Sequence, residues 1–368
     1  MKKFFSKCKA CLPIWSAVLF CIFFVSLIVN GIIKRNFDFA NAIQDTVGAG
    51  IRAFMSTVTS WIPFSLAEVL LILSPVLVFL LCFVMIRRLN RSLIAGIRYF
   101  VGFLSILSLV FTILVFGYNA SFYGDSVEEK IGIERENLSK EQLYETAILL
   151  IDAIREDIPY ITYPEDSYSE MSFSYSQMNE KLNEAYQTLC EKYSSFQNMY
   201  TNTKPVMLSE PWTYTHISGV YTFFTGEANV NVNYPDFIVV SSAAHEMAHQ
   251  RGIGKEDEAN FVAFLVCSLS DDPYVRYSGY ADVLNDVLIQ LSSADAELYR
   301  RVYEYMPQEL REEYISYSVF FDKYRENVAA TVSTTVNNAY ITSHNQPQGV
   351  KSYGLVVDLV AAYMLNRH

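Results

Sequence analysis

Ser241-Ser242-Ala243-Ala244-His245-Glu246-Met247-Ala248-His249-Gln250-Arg251-Gly252 concentrates the metal-binding chemistry of this 368-residue chain. Two of its five histidines stand four residues apart here, with Glu246 beside the first. On a helix, positions i and i+4 share a face with Cβ atoms roughly 6 Å apart. Two imidazoles so placed can bind one Zn²⁺ at about 2.0–2.1 Å. Glu246 then points to the side of the metal where water sits and can take that water's proton as it attacks a carbonyl. Val239, Val240, Ala243, Ala244 and Met247 give the stretch apolar faces and predict a helix over 237–251. The plain alternative is a polar helix face with two ordinary histidines.

A catalytic zinc takes three protein ligands and keeps a fourth position for water. Gly252 stands where a longer pattern, HExxHxxGxxH, has its glycine, but the final histidine position is Lys255, so a third histidine ligand is excluded there. The next segment, KEDEANF over 255–261, offers Glu256, Asp257 and Glu258. At about 100° per residue, Glu256, Asn260, Ala263 and Cys267 share one face. Small residues line that face and permit close helix approach. Glu258 falls instead beside Phe261, Leu265 and Leu269. Glu256 is therefore the expected third ligand, with Glu258 the alternative. Asn260, one turn beyond Glu256, is placed to hydrogen-bond a histidine ligand. All three acids would also suit a helix N-terminus on charge alone.

Upstream, the composition changes. The chain is 51% hydrophobic and 18% charged, with a mean hydropathy of +0.17. Three long apolar runs in the first third predict membrane-spanning helices near 13–33, 66–86 and 98–118, since a span needs about 20 apolar residues. Lys34 and Arg35 directly follow the first run, and no small-residue cleavage site ends it, so it reads as a retained helix and not a signal peptide. Lys2, Lys3, Lys7 and Lys9 precede that run, and Arg87, Arg88, Arg91 and Arg98 lie between the second and third. Positive charge marks the cytoplasmic side. This predicts a multi-pass cell-membrane protein with a cytoplasmic N-terminus, a membrane anchor over 1–118 and an extracytoplasmic domain over 119–368. The short stretch 34–65 also falls outside.

Charge divides the chain the same way. Residues 1–117 carry a net +8 and residues 118–368 a net −19, within a total of −11. An acidic domain repels nucleic acid and anionic lipid surfaces, which excludes the first as a partner and leaves the bilayer to the apolar helices. Cys190 and Cys267 are the two cysteines of the outer part; they are free thiols or, in an oxidising compartment, a bridge. Cys8 and Cys11 form a lone CxxC without a second pair. Hydrophobic period predicts helices over 139–157, 176–196, 256–270, 272–291, 294–306, 308–340 and 350–365, besides 237–251. Alternation through 204–233 predicts a small sheet. The fold class is thus membrane-anchored and mainly α, and no linker-like stretch divides the outer domain.

With HEMAHQRG followed by EDEANFVAF, and with SGVYTFFTGEANVN upstream and SYGLVVDLVAAY downstream, the chain resembles a bacterial membrane family, domain of unknown function 3810. That family in turn resembles gluzincin-type HExxH zinc peptidases, with the two histidines on one helix and a glutamate on the next. The ExxAN of Glu256–Asn260 is similar to the ExxAD of membrane gluzincins, with Asn260 in place of the aspartate and a short gap after His249. The resemblance implies a zincin-like outer domain, zinc as cofactor and Glu246 as the catalytic base. It also implies a peptide-binding strand before the active helix, within Val220–Asn233, where Glu227, Asn229 and Asn231 would face the cleft. Tyr353, in a polar segment between the terminal helices, is the candidate to stabilise an oxyanion.

The leading expectation is a zinc metallopeptidase acting on a peptide or envelope protein. A non-enzymatic membrane receptor with a peptide-binding cleft, and a zinc amidase acting on a cell-envelope component, are the other two. The charged neighbours of the HEMAH helix argue for a site outside the bilayer. Sequence alone names neither a substrate nor an oligomeric state.

Overall fold

A computed structural model describes residues 11–164, 168–325 and 327–366. The helices begin with α1 (Ile14–Ile33), α2 (Phe37–Ile43), α3 (Ala49–Ser60), α4 (Leu66–Arg91) and α5 (Leu93–Gly117). α1, α4 and α5 are long and apolar enough to cross a membrane by length and composition. Ser65 and Ser92 cap α4 and α5 by accepting the backbone N–H three residues on. The basic stretch expected as a loop is mostly helix. α4 continues through Arg87, Arg88 and Arg91, good helix formers, and the break falls at Ser92 alone. α1 and α5 pack together through small residues, with Ser105 donating to Ser16 at 3.0 Å.

The rest of the described chain is mainly helical, with α6 (Lys140–Asp157), α7 (Tyr175–Lys192), α8 (Asp236–Gln250), α9 (Glu256–Ser268), α10 (Pro273–Ala294), α11 (Ala296–Tyr305), α12 (Gln308–Asp322), α13 (Val328–Ser343) and α14 (Val356–Leu365). α6 opens with a capping box of Ser139 and Gln142, and Ser174 with Gln177 repeats it on α7. Asp272 caps α10, with Pro273 at its first position. α8 and α9 lie at the centre. Ala243, Ala244 and Ala248 on one, and Ala259 and Ala263 on the other, let them approach closely within a core that includes Leu150, Leu182 and Leu284. The expected helix over 308–340 is two helices, because the chain turns at Tyr324 and Asn327 caps the second. The last helix is preceded by a 3₁₀ stretch, Gly349–Leu355.

The expected sheet has three short strands: β1 (Thr203–Pro205), β2 (Gly219–Thr222) and β3 (Glu227–Val230). Their order is β1-β3-β2, with β1 parallel to β3 and β2 antiparallel to it. β2 is therefore an edge. Cys190 and Cys267 are both free thiols.

The segment 34–65 is largely helical and packs against later parts of the chain. Arg52 on α3 is buried and donates to the carbonyls of Gly117 and Gln44 and to Gln197 Oε1. Ser56 and Gln250 both donate to the Gly226 carbonyl, which ties α3 to the sheet and to the end of α8. Arg52 is held in the interior because its guanidinium meets acceptors from several elements, which offset in part a burial that still lowers its pKa.

Candidate metal centre

α8 carries His245 and His249 on one face, their rings 4.6 Å apart and nearly perpendicular. α9 starts six residues after α8 ends, and Glu256 is its first residue. The turn between them is tight. Gly252 adopts φ +89°, a left-handed conformation suited to glycine, and its N–H donates to the His249 carbonyl. This brings Glu256 Oε2 to 3.3 Å from His245 Nε2 and 3.4 Å from His249 Nε2. One ligand atom from each of the three residues falls within 4.8 Å of the others.

The histidine ring is oriented from behind. His249 Nδ1 lies 2.7 Å from the Ile253 carbonyl oxygen. A carbonyl only accepts, so Nδ1 carries the hydrogen and Nε2 faces the cluster. The Tyr118 hydroxyl oxygen lies 3.0 Å from the same nitrogen. Burial alone would lower the His249 pKa; the Glu256 carboxylate overrides that and lifts it to about 9. Burial would raise the Glu256 pKa, but the two histidines hold it well below the usual carboxylate range.

Glu246 is 4% exposed. It accepts a hydrogen bond from the Tyr221 backbone N–H, while its Oε2 has no partner among the described residues. Burial chiefly, opposed by the two histidines, pushes its pKa up to about 7. Gly219 makes this placement possible: a Cβ there would stand 2.6 Å from Glu246 Oε1. The donor set of two imidazole nitrogens and one carboxylate suits zinc, and Glu246 Oε2, buried without a partner among the described residues, leaves an acceptor free for a bound water. His245, His249 and Glu256 are the residues that would hold the ion.

The cluster opens into a cavity of about 760 Å³ lined by β2, α10 and α13, among other elements. Tyr353 lines it and is hydrogen-bonded to Glu256 and, at 3.4 Å, to Asn337. Burial and the neighbouring Glu256 raise the Tyr353 pKa well above its ordinary value, so it stays a neutral hydroxyl. Asn260 also lines the cavity. The bonds to His249, however, come from Ile253 and Tyr118, not from Asn260. Glu258 is not in the cluster: its carboxylate pairs with Lys255 at 2.7 Å.

Three residues expected in the cleft, Glu227, Asn229 and Asn231, do not line the cavity. Glu227 is buried, paired with Lys204 at 2.6 Å, and accepts the N–H groups of Leu66 and Ala67 at the start of α4. Asn229 donates to the Val220 carbonyl and Thr222 Oγ1, and Asn231 donates to Ile217. The physical reason is that Glu227 and Asn229 sit on β3, the central strand, covered on both edges. Alternation in sequence does not separate a central strand from an edge, and it is β2 that lines the cavity.

Other residues went unread. Tyr118 and Tyr221 carry no local signal among 26 tyrosines. Asp282 and Asp286, one turn apart on α10, both line the cavity. Burial raises both carboxyls, that of Asp286 to about 7 with help from Asp282, while Ser241 hydrogen-bonds Asp282. Two acids spaced i and i+4 among the apolar residues Ala281, Val283, Leu284, Val287 and Leu288 were a usable signal.

One family model, described as Protein of unknown function (DUF3810), matches residues 45–361. Neither a curated protein nor a solved structure matches the chain.

Proposed function

The chain belongs to the DUF3810 family of unknown function, whose match takes in the whole cluster, and from that premise we propose that it is a membrane-anchored, zinc-dependent peptidase. The observation that carries this reading is the Glu256 carboxylate held between the Nε2 atoms of His245 and His249, with Glu246 nearby and its Oε2 without a partner among the described residues. A bound zinc would polarise a carbonyl and acidify a water. Glu246 takes the water's proton at Oε2, and a carboxyl pushed up to about 7 is well matched to that exchange near neutral pH. β2 is an edge strand that lines the cavity, and its backbone groups other than the Tyr221 N–H held by Glu246 are offered to an extended peptide by strand addition. Tyr353, kept neutral beside Glu256, donates a hydrogen bond to the oxygen that gains charge. Asp282 and Asp286 favour a substrate with a cationic group on that side of the cavity. α1, α4 and α5 span the membrane in this reading, and the charge asymmetry of the sequence sets the site outside the cytoplasm.

The test is zinc content by elemental analysis of the full chain in detergent. About one zinc per protein, lost in His249→Ala and Glu256→Ala, supports the centre. A folded wild type that takes up no zinc refutes it. Peptide cleavage that persists in Glu246→Gln refutes the catalytic role and leaves a binding function.

A further inference from the structure

The end of α5 reaches the cluster directly. Tyr118 follows Gly117, the last residue of this apolar helix, and is 5% exposed. Its ring packs edge-on against Phe122, 5.4 Å between centroids, and lies 5.1 Å from Tyr221, the residue whose N–H holds Glu246. A buried tyrosine hydroxyl needs a polar partner. The partner here is the Nδ1–H of His249, shared between the Ile253 carbonyl and the Tyr118 oxygen.

The surrounding frame fixes that geometry. Arg52 clamps the Gly117 carbonyl at 3.0 Å, and Gln44 donates to the Gly252 carbonyl at 3.1 Å. Gly252 is seated against the Arg52 guanidinium so closely that a Cβ would fall 2.5 Å from Nη2. The turn that follows His249 is thus bonded to the segment between α1 and α4 and, through Arg52, to the end of α5. An acceptor on the far nitrogen of a ligating imidazole fixes the ring and makes the near nitrogen a better donor.

Resting on the metal reading above, we propose that Tyr118 is a positioning residue for the ligand His249, and that the end of α5 is thereby part of the metal centre. The outer part cut free at residue 118 would lack this support. The experiment uses the full chain in detergent, loaded with Co²⁺ and then Zn²⁺, with affinity measured by chelator competition and ligand geometry by the cobalt absorption spectrum. Tyr118→Phe keeps the ring and removes only the hydroxyl. Its expected effect is a loss of about 10- to 100-fold in metal affinity with a shifted cobalt spectrum, at a melting temperature close to wild type. Phe122→Leu, which disturbs the same packing without touching His249, lowers the melting temperature and leaves the spectrum unchanged. Wild-type affinity and spectrum in Tyr118→Phe overturn this inference alone. A wild type that binds neither metal overturns it together with the reading it rests on.

Discussion

Substituting Gly252 by alanine tests the turn that joins the two ligand-bearing helices. At φ +89° a side chain is strained, at a cost of roughly 1–2 kcal/mol for a residue with a Cβ. The new methyl would also meet Arg52 Nη2 at 2.5 Å and Cζ at 2.6 Å. Arg52 is held by hydrogen bonds to Gly117, Gln44 and Gln197 and has little room to yield, so overpacking adds about 1–3 kcal/mol. The two effects together cost about 2–5 kcal/mol. For a chain of this size 1 kcal/mol moves the melting temperature by roughly 2 °C, so a fall of about 4–10 °C is expected. The assay is thermal unfolding of the chelated full chain by intrinsic fluorescence, in one detergent and at one scan rate. A double-mutant cycle separates the two causes. In an Arg52→Ala background the clash is gone, and Gly252→Ala should cost only the backbone strain, a coupling of about 1–3 kcal/mol. A melting temperature unchanged by Gly252→Ala, or an equal loss in both backgrounds, would refute the packing described for this turn.

Three further predictions concern the site itself. Structural zinc sites gain about 10–16 kcal/mol from four ligands, or about 3–4 kcal/mol each, so Glu256→Ala should weaken zinc binding by about 10²–10³-fold while Glu258→Ala and Glu227→Gln leave it intact; equal losses in all three would place the ligand elsewhere. Glu246→Gln should keep the zinc and lower peptide cleavage by about 10²–10⁴-fold, measured by mass spectrometry of a peptide library, and undiminished cleavage would dismiss Glu246 as the base. Asp286, pushed up to about 7 chiefly by burial, holds a proton in the folded state that the unfolded state has already released. Stability must then fall as pH rises from the ordinary carboxylate range through about 7. Melting temperatures from pH 5 to 8 should show a shallower decline in Asp286→Asn, and identical slopes would show that the group does not titrate there.

The helices and the small sheet were largely readable because their signals are local: apolar period, serine caps and alternation. So was the pairing of Glu256 with the two histidines, because helical geometry put it on the small-residue face opposite Glu258. What escaped depends on contacts between segments far apart in the chain. Arg52 carries no local signal within 34–65, and only the convergence of Gly117, Gln44 and Gln197 on it shows its place. Glu227 looked like a cleft residue until Lys204 and the start of α4 closed around it. Tyr118 looked like the end of an apolar run, with its hydroxyl's destination 131 residues away.

The short gap between His249 and Glu256 is the feature on which the whole centre depends, and its brevity is explained by where Glu256 stands. A glutamate deep in a helix would need a long connection to swing back over α8. Glu256 opens α9 instead, so the chain only has to reverse, and Gly252 accomplishes this within a few residues. At that position the carboxylate also lies in the positive field of a helix N-terminus, which favours its ionised, ligating form. Reversal brings the backbone of 252–254 against α3 and the residues after α5; a Cβ at Gly254 would stand 2.4 Å from Ser121 Oγ. The same turn that brings Glu256 to the two histidines is therefore the surface on which α3 and the residues after α5 rest, so a cluster built with so short a gap is not independent of those segments.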